Sequence, residues 1–329
     1  MSKIISYGMA GLETIKEEMR RDQTIFILGP TLLEDLKDEF GDHRIVCTGI
    51  SEEAACAAGI GAALVGTRPI VDVTWSPFLI DAAGQVINQA AVWRFKLGNI
   101  VDIPVIFRQG YGLYGYGGGV QHSQCFHNLF ANVPGLHVAV PSTPADLVGL
   151  WRTALRKAKN PTMVWESLGC ALSGMEGPVP EEDYSTPFGV GDVKREGCDV
   201  TIAAVGYMVH LALQAAEDLS AEGIEAEVWD PRTLTPFDRE GLISSVKKTG
   251  AMVVVDIAPK SFGTTGEFFA SVAESPIMPL PPMARVASID GPVGYSATLE
   301  RYVQPDKQKI LAAVRNVLER KRLISSYKP

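Results

Sequence analysis

Cysteine is scarce and scattered. Cys47, Cys56, Cys125, Cys170 and Cys198 form no CxxC pair and no His/Cys cluster at metal-ligand spacing. That argues against a disulfide framework or a zinc site and reads as reduced thiols in a cytoplasmic protein. No apolar run approaches the roughly 20 residues that span a bilayer. Positive charge is also short: 30 Lys and Arg against 38 Asp and Glu leave a net charge of -8, with no basic footprint for nucleic acid or an anionic membrane. The chain has no GxxxxGK[ST], no strand–GxGxxG–helix arrangement and no Ser-His-Asp order, so neither a nucleotide phosphate site nor a serine nucleophile is indicated. Its first residues, MSKIISYGMAGLETIKEEMRRD, have the periodic, acidic pattern of a folded helix from about Gly8 to Arg21 and not that of a signal peptide.

What is present is alternation. In 329 residues, 46% hydrophobic and 21% charged, short apolar runs (TIFILG, RIVCTG, RPIVDVTW, VDIPVIFRQG) are separated by helical patterns. The helices are expected over about Thr31–Phe40, from Ser51 onward, and as one long helix from about Phe78 to Leu97. Repeated strand–helix alternation predicts parallel sheets covered on both faces. Residues 173–197 are rich in Gly, Pro and acids without apolar periodicity, and a second alternating series follows, closing with a helix over about Asp306–Arg322. The fold class is α/β, with two doubly wound domains. Residues 1–180 form the first, 181–198 a linker and 199–329 the second.

Three segments stand at C-terminal ends of predicted strands, where open α/β sheets bind ligands. In GISEEAACAAGIGAALVG, Glu52 and Glu53 open a small-residue helix that must pack closely. The plain reading of these acids is complementation of the helix dipole. In RQGYGLYGYGGGVQHSQCF, six glycines lie from Gly110 to Gly119 with three tyrosines among them, just before His122. Such a loop suits close backbone approach to a ligand, or a lid, although a lone histidine is more often structural. In WSPFLIDAAGQVINQAA, Phe78 opens a helix, and a lone aromatic there is ordinarily core.

Together with GTRPIVDV, PGLHVAVPSTPADLVGL, GYMVHLALQAAEDL, EVWDPRTLTPFD, VVVDIAP and GYSATLE, these segments resemble, in order from about residue 5 to 317, the beta subunit of the decarboxylase component of 2-oxo acid dehydrogenase complexes. That family includes pyruvate, branched-chain and acetoin dehydrogenases. The resemblance implies a transketolase-like pyrimidine-binding domain followed by a transketolase C-terminal domain. It also implies thiamine diphosphate and Mg2+ as cofactors, with Glu52 on the aminopyrimidine N1′, Phe78 stacked on the pyrimidine and Ile50 beside it. His122 would be the active-site histidine, and Tyr111, Tyr114, Tyr116 and Gln121 would shape the substrate entrance. Thiamine enzymes carry a GDG motif with an Asn about 25–30 residues later to hold the diphosphate and metal. The GDH at Gly41 and the GDV at Gly191 do not continue in that way. The resemblance therefore assigns no metal ligand to this chain and places Mg2+ on an alpha subunit, in an α2β2 heterotetramer.

The expected reaction is decarboxylation of a 2-oxo acid with acyl transfer to a lipoyl-bearing acyltransferase. The alternative is a C–C lyase or ligase of the same heteromeric build, acting on an acyloin or diketone and needing no lipoyl partner. A further alternative is a scaffold subunit that has lost its chemistry. The chain departs from the resemblance at Gly29-Pro30, which run almost at once into a helix, at Ile257 after VVD, and in the tyrosines of the glycine loop. The turn RKAKNP replaces an acidic version that, in some relatives, sits near a structural K+.

Overall fold

The apolar runs of the sequence are the strands of two largely parallel sheets. The computed structural model describes residues 2–29, 36–112 and 116–326. The chain divides into two compact units, Met1–Leu113 with Gln121–Phe188, and Tyr114–Val120 with Gly189–Pro329.

In the first unit, strands Ile25–Gly29 (β2), Ile45–Cys47 (β3), Arg68–Trp75 (β4), Ile106–Tyr111 (β5), His137–Ala139 (β6) and Thr162–Ser167 (β7) line up as β6–β7–β5–β4–β2–β3, and each neighbouring pair is parallel. Ile70, Val71 and Val73 are consecutive or nearly so in β4 and all are buried. A run without period-2 alternation is what a strand covered on both faces requires. The helix Glu52–Leu64 lies on β4. A Cβ built at Gly59 would stand 2.4 Å from Val71 Cγ2, so this glycine is the close approach that the small-residue pattern predicts.

Helix Tyr7–Arg21 packs against helix Pro144–Arg156. Arg156 grips the buried Glu18 through Nε at 2.9 Å and Nη2 at 2.6 Å. A two-point pair of this kind fixes geometry, and losing the half-buried Arg156 would leave the buried Glu18 carboxylate without its partner.

Three parts of the first unit differ from expectation. A strand Ser2–Ser6 (β1) precedes the first helix and pairs antiparallel with Glu176–Pro180 (β8), inside the stretch read as featureless. Neither strand has a buried face, so neither shows an apolar alternation in the sequence. The helix expected over Phe78–Leu97 is broken into a 3-10 turn Ser76–Ile80, a helical turn Ala83–Gln85, a wide i→i+5 turn Val86–Ala90 and a helix Ala91–Lys96. Of the helix expected at Thr31–Phe40, only Lys37–Phe40 is seen, and residues 30–35 lie outside the described residues.

The second unit has strands Asp192–Arg195 (β9), Val200–Ala204 (β10), Ala226–Asp230 (β11), Thr233–Thr235 (β12), Met252–Pro259 (β13) and Met283–Ser288 (β14). Five of them are ordered β14–β13–β10–β11–β9, with β9 an antiparallel edge. β9 falls within residues 181–198, the stretch read as linker. Helices Met208–Ala221 and Lys307–Ser326 pack together beside this sheet.

The motif DPRTLTPFD works within the chain as a clamp. Asp238 caps helix Arg239–Thr249 through Gly241 N at 2.9 Å and accepts Gly191 N at 2.7 Å. Thr233 Oγ1 accepts Gly189 N at 2.9 Å, and Arg232 Nε donates to Val190 O at 2.9 Å.

Candidate functional site

The site is assembled at the C-terminal ends of β3, β4 and β5. After β3 the chain passes through Thr48–Ser51 into the helix whose first residue is Glu52. After β4 it enters the turn Ser76–Ile80 that carries Phe78. The helix Glu52–Leu64 packs against both that turn and Ala83–Gln85.

The two candidate acids differ in their surroundings. Glu53 is exposed and accepts a hydrogen bond from Gln85 Nε2 at 3.3 Å. Glu52 is half-buried, and its carboxylate makes no hydrogen bond or ion pair among the described residues. One turn on, burial and then the negative charge of Glu52 push the Cys56 thiol up to about 12. Glu52 is therefore the carboxylate of the two that is left without a protein partner and is within electrostatic reach of the buried Cys56 thiol. Ile50, on the loop just before it, is 91% exposed.

Phe78 and His122 meet edge to face, with ring centroids 5.5 Å apart and planes at 75°. Trp75 joins them, its ring 5.1 Å from His122 and inclined at 87°. Ser76, fully buried, ties the two segments together by donating from Oγ to Gln124 O at 2.6 Å. Trp75 was not among the residues marked in the sequence, although its place directly before SPF at a strand end was a usable signal. The residue before it, Thr74, has φ +61°, and its amide donates to Asp72 Oδ1 at 2.8 Å. Asp72 Oδ2 accepts from Arg108 Nη1 at 2.9 Å, and Arg108 Nη2 reaches Glu166 Oε2 at 2.7 Å. Burial opposes the charge on Arg108, but Glu166 and Asp72 outweigh it and raise the guanidinium pKa.

The entrance residues are dispersed. Tyr111 ends β5 at 1% exposure, its ring 5.8 Å from His127 and 5.9 Å from Trp165. It is a core aromatic and no part of a lid, because the glycine-rich stretch begins inside the last residues of a strand. Tyr114 lies outside the described residues. Tyr116 is exposed and belongs with the second unit, where Gly117 N donates to Glu300 Oε2 at 3.2 Å. Gln121 is exposed on the short helix Gly119–His122.

The described residues contain no group of three or more His, Cys, Asp or Glu able to hold a metal, and no helix is long and apolar enough to cross a membrane. At the turn RKAKNP the Lys159 carbonyl accepts from Ile103 N at 2.9 Å, and Asp102 is engaged by Arg94 at 3.3 Å and Lys159 at 3.8 Å.

Two family models match the chain: the transketolase pyrimidine-binding domain over residues 3–169 and the transketolase C-terminal domain over residues 189–310. The chain is 37% identical over 327 residues to the 2-oxoisovalerate dehydrogenase subunit beta of Bacillus subtilis (strain 168), covering 96% of this chain and 99% of the relative. It is 35% identical over 340 residues to the acetoin:2,6-dichlorophenolindophenol oxidoreductase subunit beta of the same organism, covering 97% and 98%. Among solved structures, a split-gene transketolase described as an inactive beta4 tetramer superposes with a TM-score of 0.78 at 26% identity, covering 96% of this chain and 98% of that one.

Proposed function

Because this chain belongs to the family of beta subunits of 2-oxo acid dehydrogenase decarboxylase components, built from a transketolase pyrimidine-binding and a transketolase C-terminal domain, we propose that it supplies the pyrimidine side of a thiamine-diphosphate site and decarboxylates a 2-oxo acid only together with an alpha subunit. The observation that carries this reading is the half-buried, unengaged Glu52 at the start of a helix that packs against the turn carrying Phe78, with His122 edge to face with Phe78. These residues fit the aminopyrimidine: one carboxylate without a protein partner, one flat apolar ring, and one imidazole.

When bound, thiamine diphosphate supplies an acidic thiazolium C–H and an electron sink for loss of CO2. Glu52 Oε would hold the proton shared with the pyrimidine N1′, and Phe78 would give the ring a flat apolar wall. His122, its ring set by Phe78 and Trp75, would donate a hydrogen bond to negative charge developing on the substrate oxygen. Exclusion of water strengthens each of these contacts. Mg2+ and the diphosphate would be held by the alpha subunit. The exposed Ile50, Phe95 and Ile100 in one unit, and Phe262, Met278 and Tyr302 in the other, are apolar surface suited to burial against partner subunits. A lipoyl-bearing acyltransferase as acceptor and a cytoplasmic location complete the proposal.

Turnover of the assembled complex tests the assignment. Glu52→Gln is expected to lower kcat about 10²–10⁴-fold, the range for a lost proton-transfer group, while Glu53→Gln stays close to wild type. Equal turnover for Glu52→Gln and wild type contradicts the assignment. Cofactor binding in the complex without CO2 release from a 2-oxo acid would instead favour the acyloin-type lyase.

A further inference from the structure

At the exit of β4 one residue adopts a backbone conformation that its side chain resists. Thr74 has φ +61°, and a β-branched residue in the left-handed region is a genuine outlier. Such strain persists only where the surroundings over-determine it, and it collects at functional sites.

Here the determinants form a chain of contacts. Thr74 N donates to Asp72 Oδ1 at 2.8 Å. Asp72 Oδ2 is held by Arg108, Arg108 by Glu166, and Glu166 Oε1 accepts from Trp151 Nε1 at 3.0 Å. From the other side, β2 presses in at Gly29, where a Cβ would lie 2.6 Å from Asp72 O and 2.8 Å from Asp72 Cβ.

The strain has a geometric result. Asp72 pairs with Arg108, but the next registered pair is Trp75 with Gly110, so β4 spends three residues where β5 spends two. The extra residue is a bulge, and it sends the following side chain to the opposite face from the one that simple alternation would give. Trp75 consequently lies 5.1 Å from the His122 ring at 87°, Phe78 lies 5.5 Å from it at 75°, and Ser76 bonds to Gln124 O two residues beyond His122. A strand that merely needed to end would not require a clamped, β-branched residue at positive φ.

We propose that Asp72, Thr74 and Trp75 form a positioning device for His122, in which the Asp72-clamped bend at Thr74 turns Trp75 edge-on to the imidazole and fixes its orientation. This inference rests on the role given to His122 above. Trp75 is a positioning residue: it acts on the reaction through His122.

The test uses two readouts. In the full chain, the His122 ring protons are identified by NMR from their loss in His122→Gln. In the assembled complex, kcat and KM for CO2 release are measured. Trp75→Leu is expected to weaken the NOEs between the His122 and Phe78 rings, which loss of the indole ring current alone would leave intact, and to lower kcat about tenfold or more with little change in KM, as small misplacements of a reacting group do. Trp75→Phe, which keeps an aromatic edge, recovers most of both. Asp72→Ala is expected to disturb His122 in the same way, and adding Thr74→Gly should restore it, because glycine holds positive φ without the clamp. Asp72→Asn, which retains an oxygen acceptor for Thr74 N, keeps the bend if Asp72→Ala fails to fold.

His122–Phe78 NOEs unweakened by Trp75→Leu overturn the positioning device, even if His122→Gln abolishes turnover. Full turnover in His122→Gln overturns the role of His122 itself, and with it the purpose of the device, whatever the NMR shows.

Discussion

At the start of the helix Glu52–Leu64, two neighbouring carboxylates have different partners: Glu53 meets Gln85, while Glu52 stands over the buried Cys56 thiol. Because burial and the Glu52 charge raise that thiol to about 12, it stays protonated and unreactive at ordinary pH. Alkylation of the native chain at pH 8 is therefore expected to modify the exposed Cys47 and Cys198 and to spare Cys56, Cys125 and Cys170. Modification of Cys56 in the folded chain, mapped by mass spectrometry, would contradict the burial described. The sequence marked Glu52, Phe78 and His122 because motif order carries their identity. It did not show Trp75 or the strain at Thr74, since a backbone dihedral and a bulge leave no periodic signal. It misplaced Tyr111, because glycine richness on one side hid the fact that Tyr111 still belongs to a buried strand.

Among elements, the helix Glu52–Leu64 separates two glycines by their surroundings. Gly59 abuts Val71, whereas a Cβ at Gly61 would meet nothing within 4 Å. Gly61→Ala is expected to stabilise the fold by about 0.5–1 kcal/mol through helix propensity alone. Gly59→Ala gains the same propensity but adds an overpacking cost of about 1–3 kcal/mol, so the net change is a loss. Urea unfolding of the two variants would show opposite shifts in midpoint.

A second element-scale effect lies between the first helix and residues 181–185. Hydrogen bonds from Arg21 and Arg156 hold the Asp183 carboxyl down at about 2. A lowered folded pKa stabilises above the unfolded value near 3.9 and is lost as pH falls toward 2. The group is exposed, so screening limits the effect to about 1 kcal/mol or less. Asp183→Asn should accordingly lower stability slightly at pH 7 in low salt and leave it unchanged at pH 2; the reverse pH order would contradict this. Buried parallel strands were legible as continuous apolar runs. Strands β1, β8 and β9 were not, because edge ribbons without a buried face follow no apolar period, and the wide turn at Val86–Ala90 reads as helix in any pattern.

At the scale of the whole molecule, the sequence contains a pyrimidine-side half and lacks the GDG…N half. We propose that cofactor binding belongs to the assembly of two kinds of subunit. It is tested most directly by titrating thiamine diphosphate with Mg2+ calorimetrically into this chain alone, and then into the chain co-purified with an alpha subunit carrying the GDG…N motif. No saturable binding is expected to the chain alone, and in the pair saturable binding that is lost or strongly weakened in Glu52→Gln. Tight binding to the chain alone, or binding in the pair that is indifferent to Glu52, would contradict it.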